Sequence, residues 1–184
     1  PFTESIVKME NPKQRVILHA GDYYFGNAQA QIHTLLGSCI SIVLWHPEKK
    51  IGGMCHYALP YRFERADNRL NPRFADDCLA LFERSAKRNQ TYLSEFQAKI
   101  FGGGNMYEKT IREGEVDPNR RPVGEKNVEA AFELLSQRNI PIQVAHVGEF
   151  GHRRIIFDIE TGDVWVKFSP VIKMGNQNSL SGVT

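Results

Sequence analysis

Two apolar runs joined by a short polar turn constrain the fold of this chain more than any other feature. The first run, CISIVLW, covers residues 39–45, and the second, IGGMCHYAL, covers residues 51–59. The HPEK segment between them contains a proline, which suits a turn. The pattern therefore predicts an antiparallel β-hairpin in which Trp45 lies opposite Lys50 and Cys39 lies opposite His56.

The alternation of side chains in this hairpin predicts one apolar face and one face that carries reactive groups. The apolar face combines residues of both strands: Ile40, Ile42, Leu44, Ile51, Gly53, Cys55 and Tyr57. The other face brings Cys39 and His56 together, with Cβ atoms about 4.5–5.5 Å apart if they are directly opposite. A slip of one residue would place Cys39 opposite Cys55 and scatter the apolar face, so the pattern favours the Cys39–His56 pair.

A thiol beside an imidazole indicates nucleophilic chemistry. A free thiol is mostly protonated at neutral pH, and a neighbouring imidazole can take its proton and hold a thiolate–imidazolium pair. Gly37 and Ser38 bend the chain just before Cys39, so that backbone N–H groups can face a developing oxyanion. We therefore expect Cys39 to be the nucleophile and His56 the general base.

Two other interpretations of the same residues stay open at this point. A strand cysteine is often only a small apolar core residue, and we expect this of Cys55 and Cys78. A zinc site would have to use His33, Cys39, Cys55 and His56, but the sequence has no CxxC or HxxxH spacing there. Cys55 should also face away from Cys39, so we expect no metal site.

The rest of the chain predicts mostly strands with two helices between them. The expected elements are a strand that begins near residue 15 and ends at Gly21, a strand over residues 31–36, a helix over 74–88, a strand over 98–102 that runs into three glycines, a helix over 127–139, a buried strand over 140–148 and a closing hairpin over 153–168. The inward side chains are expected to be Phe74, Cys78, Leu81, Phe82 and Ser85 or Ala86 in the first helix, and Val128, Ala131, Phe132 and Leu135 in the second. This order predicts a single α/β layered domain of mixed, mostly antiparallel strands.

Length and composition narrow the class of protein. The 184 residues fit one domain, and 23 basic against 21 acidic residues argue against a protein that coats nucleic acid. No apolar run is long enough for a membrane helix, so we expect no membrane insertion. The three cysteines and the absence of a signal-peptide pattern favour the cytoplasm. We expect an irregular segment over residues 1–14, the folded domain over 15–170 and a flexible tail over 171–184.

Several stretches resemble one known family over roughly residues 16–168. They are TLLGSCISIVLWHPEKKIGGMCHYALP, RFADD, KIFGGGNMY, VGEKNVEAAFELL and HVGEFGHRRIIFDIETGDVWV. They are similar to the chemoreceptor glutamine deamidase family, CheD. The resemblance implies a layered fold similar to the catalytic domain of cytotoxic necrotizing factor toxins. It also implies hydrolysis of glutamine side chains to glutamate on the cytoplasmic helices of methyl-accepting chemoreceptors, without a cofactor.

The resemblance assigns Cys39 as nucleophile and His56 as general base, and it leaves the third catalytic group open. In the family that group is a threonine, and the closest alignment places it at His33, whereas the threonine here is Thr34. On a strand, a shift of one position moves a side chain to the opposite face. Either a bulge brings Thr34 to His56, or His33 or a backbone carbonyl orients the imidazole.

For the substrate we expect contacts from Ser38 at the oxyanion, from Gly103 and Gly104 where a receptor backbone can approach closely, and from Tyr107. Some family members also bind a CheC-type phosphatase, which is a further expected partner. Two alternatives are a catalytically silent adaptor, and a thiol protease or transglutaminase-like acyl transferase with the same nucleophile. The intact Cys39–His56 pair argues against the adaptor.

Overall fold

The computed structural model describes residues 12–106 and 121–171, and these form two β-sheets and two α-helices. The strands are β1 (Gln14–Leu18), β2 (Tyr23–Asn27), β3 (Ala30–Leu36), β4 (Ile40–His46), β5 (Ile51–Cys55), β6 (Gln97–Gly102), β7 (Ile142–Val147), β8 (Gly151–Asp158) and β9 (Val164–Pro170). The helices are α1 (Ala75–Arg88) and α2 (Val123–Gln137), and a short 3-10 turn covers Leu93–Glu95. The predicted α/β class is confirmed.

The elements are arranged in three layers. One sheet has the order β1-β3-β8-β9, and the other has the order β2-β5-β4-β6-β7. Apolar side chains from both sheets, such as Ile32 and Val43, pack between them. A second apolar cluster lies between the five-stranded sheet and the two helices, where Ile42 and Phe82 are buried. The five-stranded sheet is therefore the middle layer, and the central hairpin β4–β5 is covered on both faces.

The register of this hairpin differs by two residues from the predicted one. Leu44 pairs with Gly53, and the pairing continues to a bridge between Ile40 and Tyr57. The prediction that Cys39 lies directly opposite His56 is therefore wrong. The reason is the turn, which covers residues 47–50 and ends with Lys50 at a φ of 50°.

The predicted faces are nevertheless confirmed, because a shift of two residues leaves every strand side chain on its own face. Ile40 and Cys55 belong to the cluster beneath the helices. Cys39 packs against the cluster between the sheets. Both groups of the predicted reactive pair therefore remain on the face that points toward the four-stranded sheet.

The helices confirm most of the predicted inward residues, with exceptions. Cys78, Phe82 and Ala86 of α1 are buried, whereas Leu81 is only half-buried. In α2 the buried face is rotated about the helix axis relative to the predicted face. Ala130 and Leu134 are buried together with Ala131 and Leu135, whereas Phe132, which the sequence predicts to face inward, is 39% exposed. The helix also begins at Val123, before the predicted start.

Two strand predictions differ from the structure. The sequence predicts a buried strand over residues 140–148, but β7 is the outermost strand of the five-stranded sheet, and Val144 is 42% exposed. An apolar run does not reveal whether a strand lies inside a sheet or at its edge. The predicted strand ending at Gly21 corresponds to β1, which already ends at Leu18, and the sequence did not predict β2, which follows in the other sheet.

Neither α-helix in the described ranges has the length and apolarity needed to cross a membrane. The predicted N-terminal segment and C-terminal tail lie largely outside the described residues, and their separation from the domain stays a prediction. The closing hairpin is confirmed as β8–β9, with Gly162 in its turn at a φ of 79°.

Candidate active site

Cys39 lies in the tight connection between β3 and β4. Two buried glycines, Gly103 and Gly104, form backbone hydrogen bonds to this connection. The N–H of Gly104 donates to the carbonyl of Gly37 at 2.9 Å, and the N–H of Gly103 donates to the carbonyl of Cys39 at 2.9 Å. Neither glycine has room for a side chain. A Cβ on Gly103 would lie 2.4 Å from a methyl of Val128, and one on Gly104 would lie 2.3 Å from the carbonyl oxygen of Gly151.

The carbonyls of the connection are thus bonded inward, while two of its N–H groups are left available. The N–H groups of Ser38 and Cys39 donate to no acceptor among the described residues. The next one, of Ile40, donates to the carbonyl of Tyr57 at 3.0 Å. Two adjacent free amides beside a thiol can bind an oxygen atom that gains negative charge, and the oxyanion role of these amides stays a prediction.

His56 directly follows β5, and its backbone holds the segment between β1 and β2. Its N–H donates to the carbonyl of Asp22 at 3.0 Å, and its own carbonyl accepts from the N–H of Gly21 at 2.7 Å. The side chain is buried, with 5% exposure. Nδ1 of the imidazole lies 2.8 Å from the hydroxyl oxygen of Thr34.

The bonds of Thr34 determine which ring nitrogen of His56 carries the proton. The Thr34 hydroxyl donates to the carbonyl of Leu18 at 2.8 Å. A hydroxyl has one hydrogen and a carbonyl can only accept, so the Thr34 oxygen must accept from His56. Nδ1 therefore carries the hydrogen, and Nε2 keeps its lone pair. This is the tautomer that a general base needs if it acts through Nε2.

The structure also shows which of the two neighbouring residues, His33 or Thr34, contacts His56. The pairing of β3 with β1 and with β8 is continuous, so no bulge shifts Thr34. Thr34 lies on the buried face of β3, and its contact with His56 bridges the two sheets. His33 points the other way and its Nε2 bonds to Gln31 at 2.9 Å.

Cys39 and His56 share a face but are not hydrogen-bonded in this structure. Because Ile40 pairs with Tyr57, Cys39 and His56 are diagonal neighbours across the hairpin. Diagonal neighbours are typically about 7–8 Å apart at the backbone, with side chains that can lean toward one another. Catalytic hydrogen bonds are often long in the absence of substrate, so the geometry is compatible with proton transfer from the thiol to the imidazole.

The electrostatics of the pair favour two neutral groups at rest. Burial raises the pKa of the Cys39 thiol, an effect that the positive charge of Arg73 opposes. Burial lowers the pKa of His56 to about 4, against a rise due to Asp22 and a further lowering due to His19. The predicted resting thiolate–imidazolium pair is therefore not favoured, and the proton would move as the thiol attacks.

Sequence reasoning missed Arg73, which the structure places beside the site. Its carbonyl accepts the N–H groups of Ala58 at 2.9 Å and Leu59 at 3.1 Å. The continued hairpin register places Ala58 opposite Cys39. Arg73 thus brings a positive charge near the thiol from a polar loop whose sequence carries no signal for this role.

Asn127 is a second residue whose role sequence reasoning missed, although it lies within the VGEKNVEAAFELL stretch. It is fully buried, and its side-chain nitrogen donates to the carbonyl of Ser38 at 3.1 Å and to that of Ala58 at 3.0 Å. The available signal was an amide on the same helical stripe as Ala131 and Leu134, because a polar residue on an apolar face is informative.

The other predicted site residues have different surroundings. Gly103 and Gly104 are buried and pack against their own chain, so their contact with a substrate stays a prediction. Tyr107 lies outside the described residues. Cys55 of β5 and Cys78 of α1 are fully buried in the cluster between the five-stranded sheet and the helices, which confirms them as core residues. The described residues contain no cluster of three His, Cys, Asp or Glu side chains that could hold a metal ion.

Comparison with known proteins identifies the family of the chain. The family profile of CheD, described as CheD chemotactic sensory transduction, matches residues 58–168. A protein of Pseudomonas syringae pv. syringae (strain B728a), named "Probable chemoreceptor glutamine deamidase CheD", is 40% identical over 86% of this chain and 87% of its own length. "Probable chemoreceptor glutamine deamidase CheD 3" of Dechloromonas aromatica (strain RCB) is 42% identical over 83% of this chain and 86% of its own length. A third relative, from Leptospira interrogans, is 35% identical over 83% of this chain and 91% of its own length. The chain therefore belongs to the CheD family.

Proposed function

We propose that this protein hydrolyses the side-chain amide of specific glutamines on bacterial chemoreceptors and releases ammonia. Its relatives carry the name chemoreceptor glutamine deamidase. The observation that supports the proposal is the hydrogen-bonded series Leu18–Thr34–His56, which leaves Nε2 of the imidazole unprotonated on the face that bears Cys39. The product glutamate adds a negative charge to a receptor helix and creates a carboxylate that a methyltransferase can esterify.

In the first half of the reaction the thiol of Cys39 attacks the glutamine Cδ. His56 Nε2 takes the thiol proton as the S–C bond forms, and the carbonyl electron pair moves onto the oxygen. The free N–H groups of Ser38 and Cys39 bind this oxyanion. When the tetrahedral intermediate collapses, the C–N bond breaks and the imidazolium returns its proton to the departing nitrogen, so that ammonia leaves.

In the second half a water molecule hydrolyses the thioester. Neutral His56 takes a proton from the water as the new C–O bond forms, and the same N–H groups bind the second oxyanion. The C–S bond then breaks and the thiolate recovers the proton from His56. The cycle needs no metal and no organic cofactor. Thr34 takes part only through His56, because its hydroxyl orients the ring.

For the substrate we propose that a receptor helix lies across the connection that contains Ser38, near Gly103, Gly104 and Tyr107. The receptor glutamines are on cytoplasmic helices, so we also propose a cytoplasmic location. The resemblance to the family supports a second partner, a CheC-type phosphatase. A binding measurement between this protein and the CheC-type phosphatase of its own organism tests that partner, and the absence of a complex would remove it.

The central test is mass spectrometry of a cytoplasmic chemoreceptor fragment after treatment with the purified protein. Deamidation gives the small mass gain of an amide converted to an acid at particular glutamines, and Cys39→Ala should abolish it. Cleavage or crosslinking of the fragment would instead indicate a protease or a transglutaminase-like acyl transferase. Binding without any chemical change would indicate a silent adaptor. Retained deamidation in Cys39→Ala protein would rule out the mechanism.

A further inference from the structure

We infer that Asn127 is a positioning residue that aims the N–H of Cys39 at the oxyanion. This inference rests on the proposed function, because it concerns the same Cys39 site. Asn127 lies on α2, outside the β3–β4 connection that carries Cys39 and the segment after β5 that carries His56. It therefore acts on the site through the backbone and does not contact the reacting atoms.

The contacts of Asn127 join the two sides of the site. Its side-chain nitrogen donates to the carbonyls of Ser38 and Ala58, which immediately precede Cys39 and closely follow His56. Both partners can only accept, so the nitrogen of the amide must face them. The Tyr57 hydroxyl donates to the backbone carbonyl of Asn127 at 2.6 Å and joins the helix to the segment that follows β5.

The bond to Ser38 controls the orientation of one peptide group. The Ser38 carbonyl and the Cys39 N–H belong to the same planar trans peptide, in which C=O and N–H point in opposite directions. A carbonyl held toward Asn127 in the interior therefore turns the Cys39 N–H away from the interior. That N–H finds no acceptor among the described residues. A donor to the carbonyl also polarises the peptide and strengthens its N–H as a donor.

Asn127 has an energetic cost in the folded state, so packing alone does not account for an amide at this position. Its side-chain oxygen is buried and has no hydrogen-bond partner among the described residues. A buried acceptor without a partner destabilises a fold, because the group loses its bond to water and gains none in return. The amide nitrogen of this side chain donates to two carbonyls, and no other described side chain donates to either of them.

Two chemical probes separate this role from a merely structural one. 4-Nitrophenyl acetate acylates the thiolate through a tetrahedral oxyanion and releases 4-nitrophenolate. Iodoacetamide alkylates the same thiolate by displacing iodide from a saturated carbon, so no oxyanion forms. Both reactions depend equally on the accessibility and ionisation of Cys39. The ratio of the two rates therefore reports the oxyanion site alone, after subtraction of the background measured in Cys39→Ala protein.

We expect Asn127→Ala to slow the acylation of Cys39 by about tenfold or more. Its alkylation should stay close to that of the wild type. On a chemoreceptor fragment, kcat should fall by a similar factor while KM changes little, because the interaction is made in the transition state. Asn127→Leu has a similar shape but no donor, and it should behave like Asn127→Ala. Because leucine fills the buried space that alanine leaves empty, this second variant keeps the test possible if Asn127→Ala does not fold.

The matched control is Leu134→Ala, which removes a buried side chain two turns further along α2 without touching Ser38. It should lower stability but leave the ratio of acylation to alkylation unchanged. An unchanged ratio in both Asn127 variants would overturn the inference, as would a ratio that falls equally in Leu134→Ala. If 4-nitrophenyl acetate acylates Cys39 of the wild-type protein but no glutamine of the receptor fragment is deamidated, the proposed function is contradicted. The role of Asn127 in the acylation of Cys39 can still be measured in that case.

Discussion

The Thr34 hydroxyl is hydrogen-bonded to His56 and carries no charge, and this has consequences for the basicity of the imidazole. A carboxylate in the same place would raise the pKa of the imidazole, as in triads that contain aspartate. A hydroxyl cannot do so, and burial then dominates and lowers the pKa of His56 to about 4. Thr34 therefore contributes direction and tautomer, and the ring stays neutral until a proton reaches it from the thiol.

The first prediction concerns the hydroxyl of Thr34. Thr34→Val keeps the shape but removes the acceptor of the Nδ1 hydrogen, so we expect the single-turnover rate on a receptor fragment to fall by about ten- to a thousandfold, with little change in binding. Thr34→Ser keeps the hydroxyl and should retain most of the rate. His33→Ala is the matched control on the opposite face of β3. Wild-type rates in Thr34→Val would mean that Cys39 and His56 work as a dyad oriented by the backbone.

The second prediction concerns the ionisation of Cys39. Because burial raises the pKa of the thiol, its alkylation by iodoacetamide should accelerate by about tenfold per pH unit between about pH 7 and 9. Cys55 and Cys78 should stay unlabelled until the protein unfolds, since both are fully buried. A rate that is already constant from about pH 6 to 8 would indicate a resting thiolate–imidazolium pair. Equal labelling of all three thiols would contradict the assignment of the core cysteines.

At the scale of elements, the end of β6 and the start of α2 fit together through glycines. Gly103 has a φ of 65° and faces α2, where the Cβ of a larger residue would meet Val128 and the carbonyl of Gly124. Arg153 of β8 binds the carbonyls of Gly102 and Gly148. The connection that carries Cys39 thus rests on backbone that is packed too closely for side chains.

The third prediction compares two glycines with similar backbone angles. Gly148 has a φ of 76°, but a Cβ added there would have no atom within 4 Å, so Gly148→Ala should cost only about 1 kcal/mol of unfolding free energy from backbone strain. Gly103→Ala adds a steric overlap and should cost about 1–3 kcal/mol more. It should also slow deamidation, because the N–H of Gly103 holds the Cys39 carbonyl. Urea denaturation of both variants gives the comparison, and equal losses would contradict the close-packing argument.

At the scale of the whole molecule, both faces of the hairpin β4–β5 are buried. The burial of His56 therefore makes the free energy of unfolding depend on pH. The folded pKa is about 4, whereas the ordinary value is 6.5. Between these pH values the unfolded chain binds more protons than the folded one, so the free energy of unfolding falls as the pH decreases. The stability associated with neutral His56 is complete above the unfolded pKa and is lost toward the folded one.

The fourth prediction follows from this linkage. Between about pH 7 and 4.5 the wild type should lose about 2 kcal/mol more unfolding free energy than His56→Gln, which does not titrate in this range. The other titrating groups are common to both proteins and cancel in the difference. Urea denaturation at several pH values provides the measurement. Parallel stability curves for the two proteins would show that His56 titrates with an ordinary pKa in the folded state.

The sequence alone determined which faces the hairpin residues occupy, although it did not determine their register. Side chains alternate with a period of two, so the predicted face of Cys39 and His56 survives an error of two residues. The register itself depends on the turn, where Lys50 adopts a positive φ. A polar turn sequence does not specify this conformation. The predicted α/β class is likewise independent of the strand register, because it rests on the periodicity of apolar residues alone.

Only the tertiary structure decided which side chains contact the candidate site. Thr34 reaches His56 across the space between two sheets, and Asn127 reaches Ser38 from a helix far along the chain. Such contacts depend on how layers pack, and local periodicity holds no information about packing between layers. The same limit explains β7, whose apolar sequence gave no sign that the strand lies at a sheet edge. Chemistry-bearing residue types can thus be found in a sequence, whereas their orienting partners depend on the three-dimensional fold.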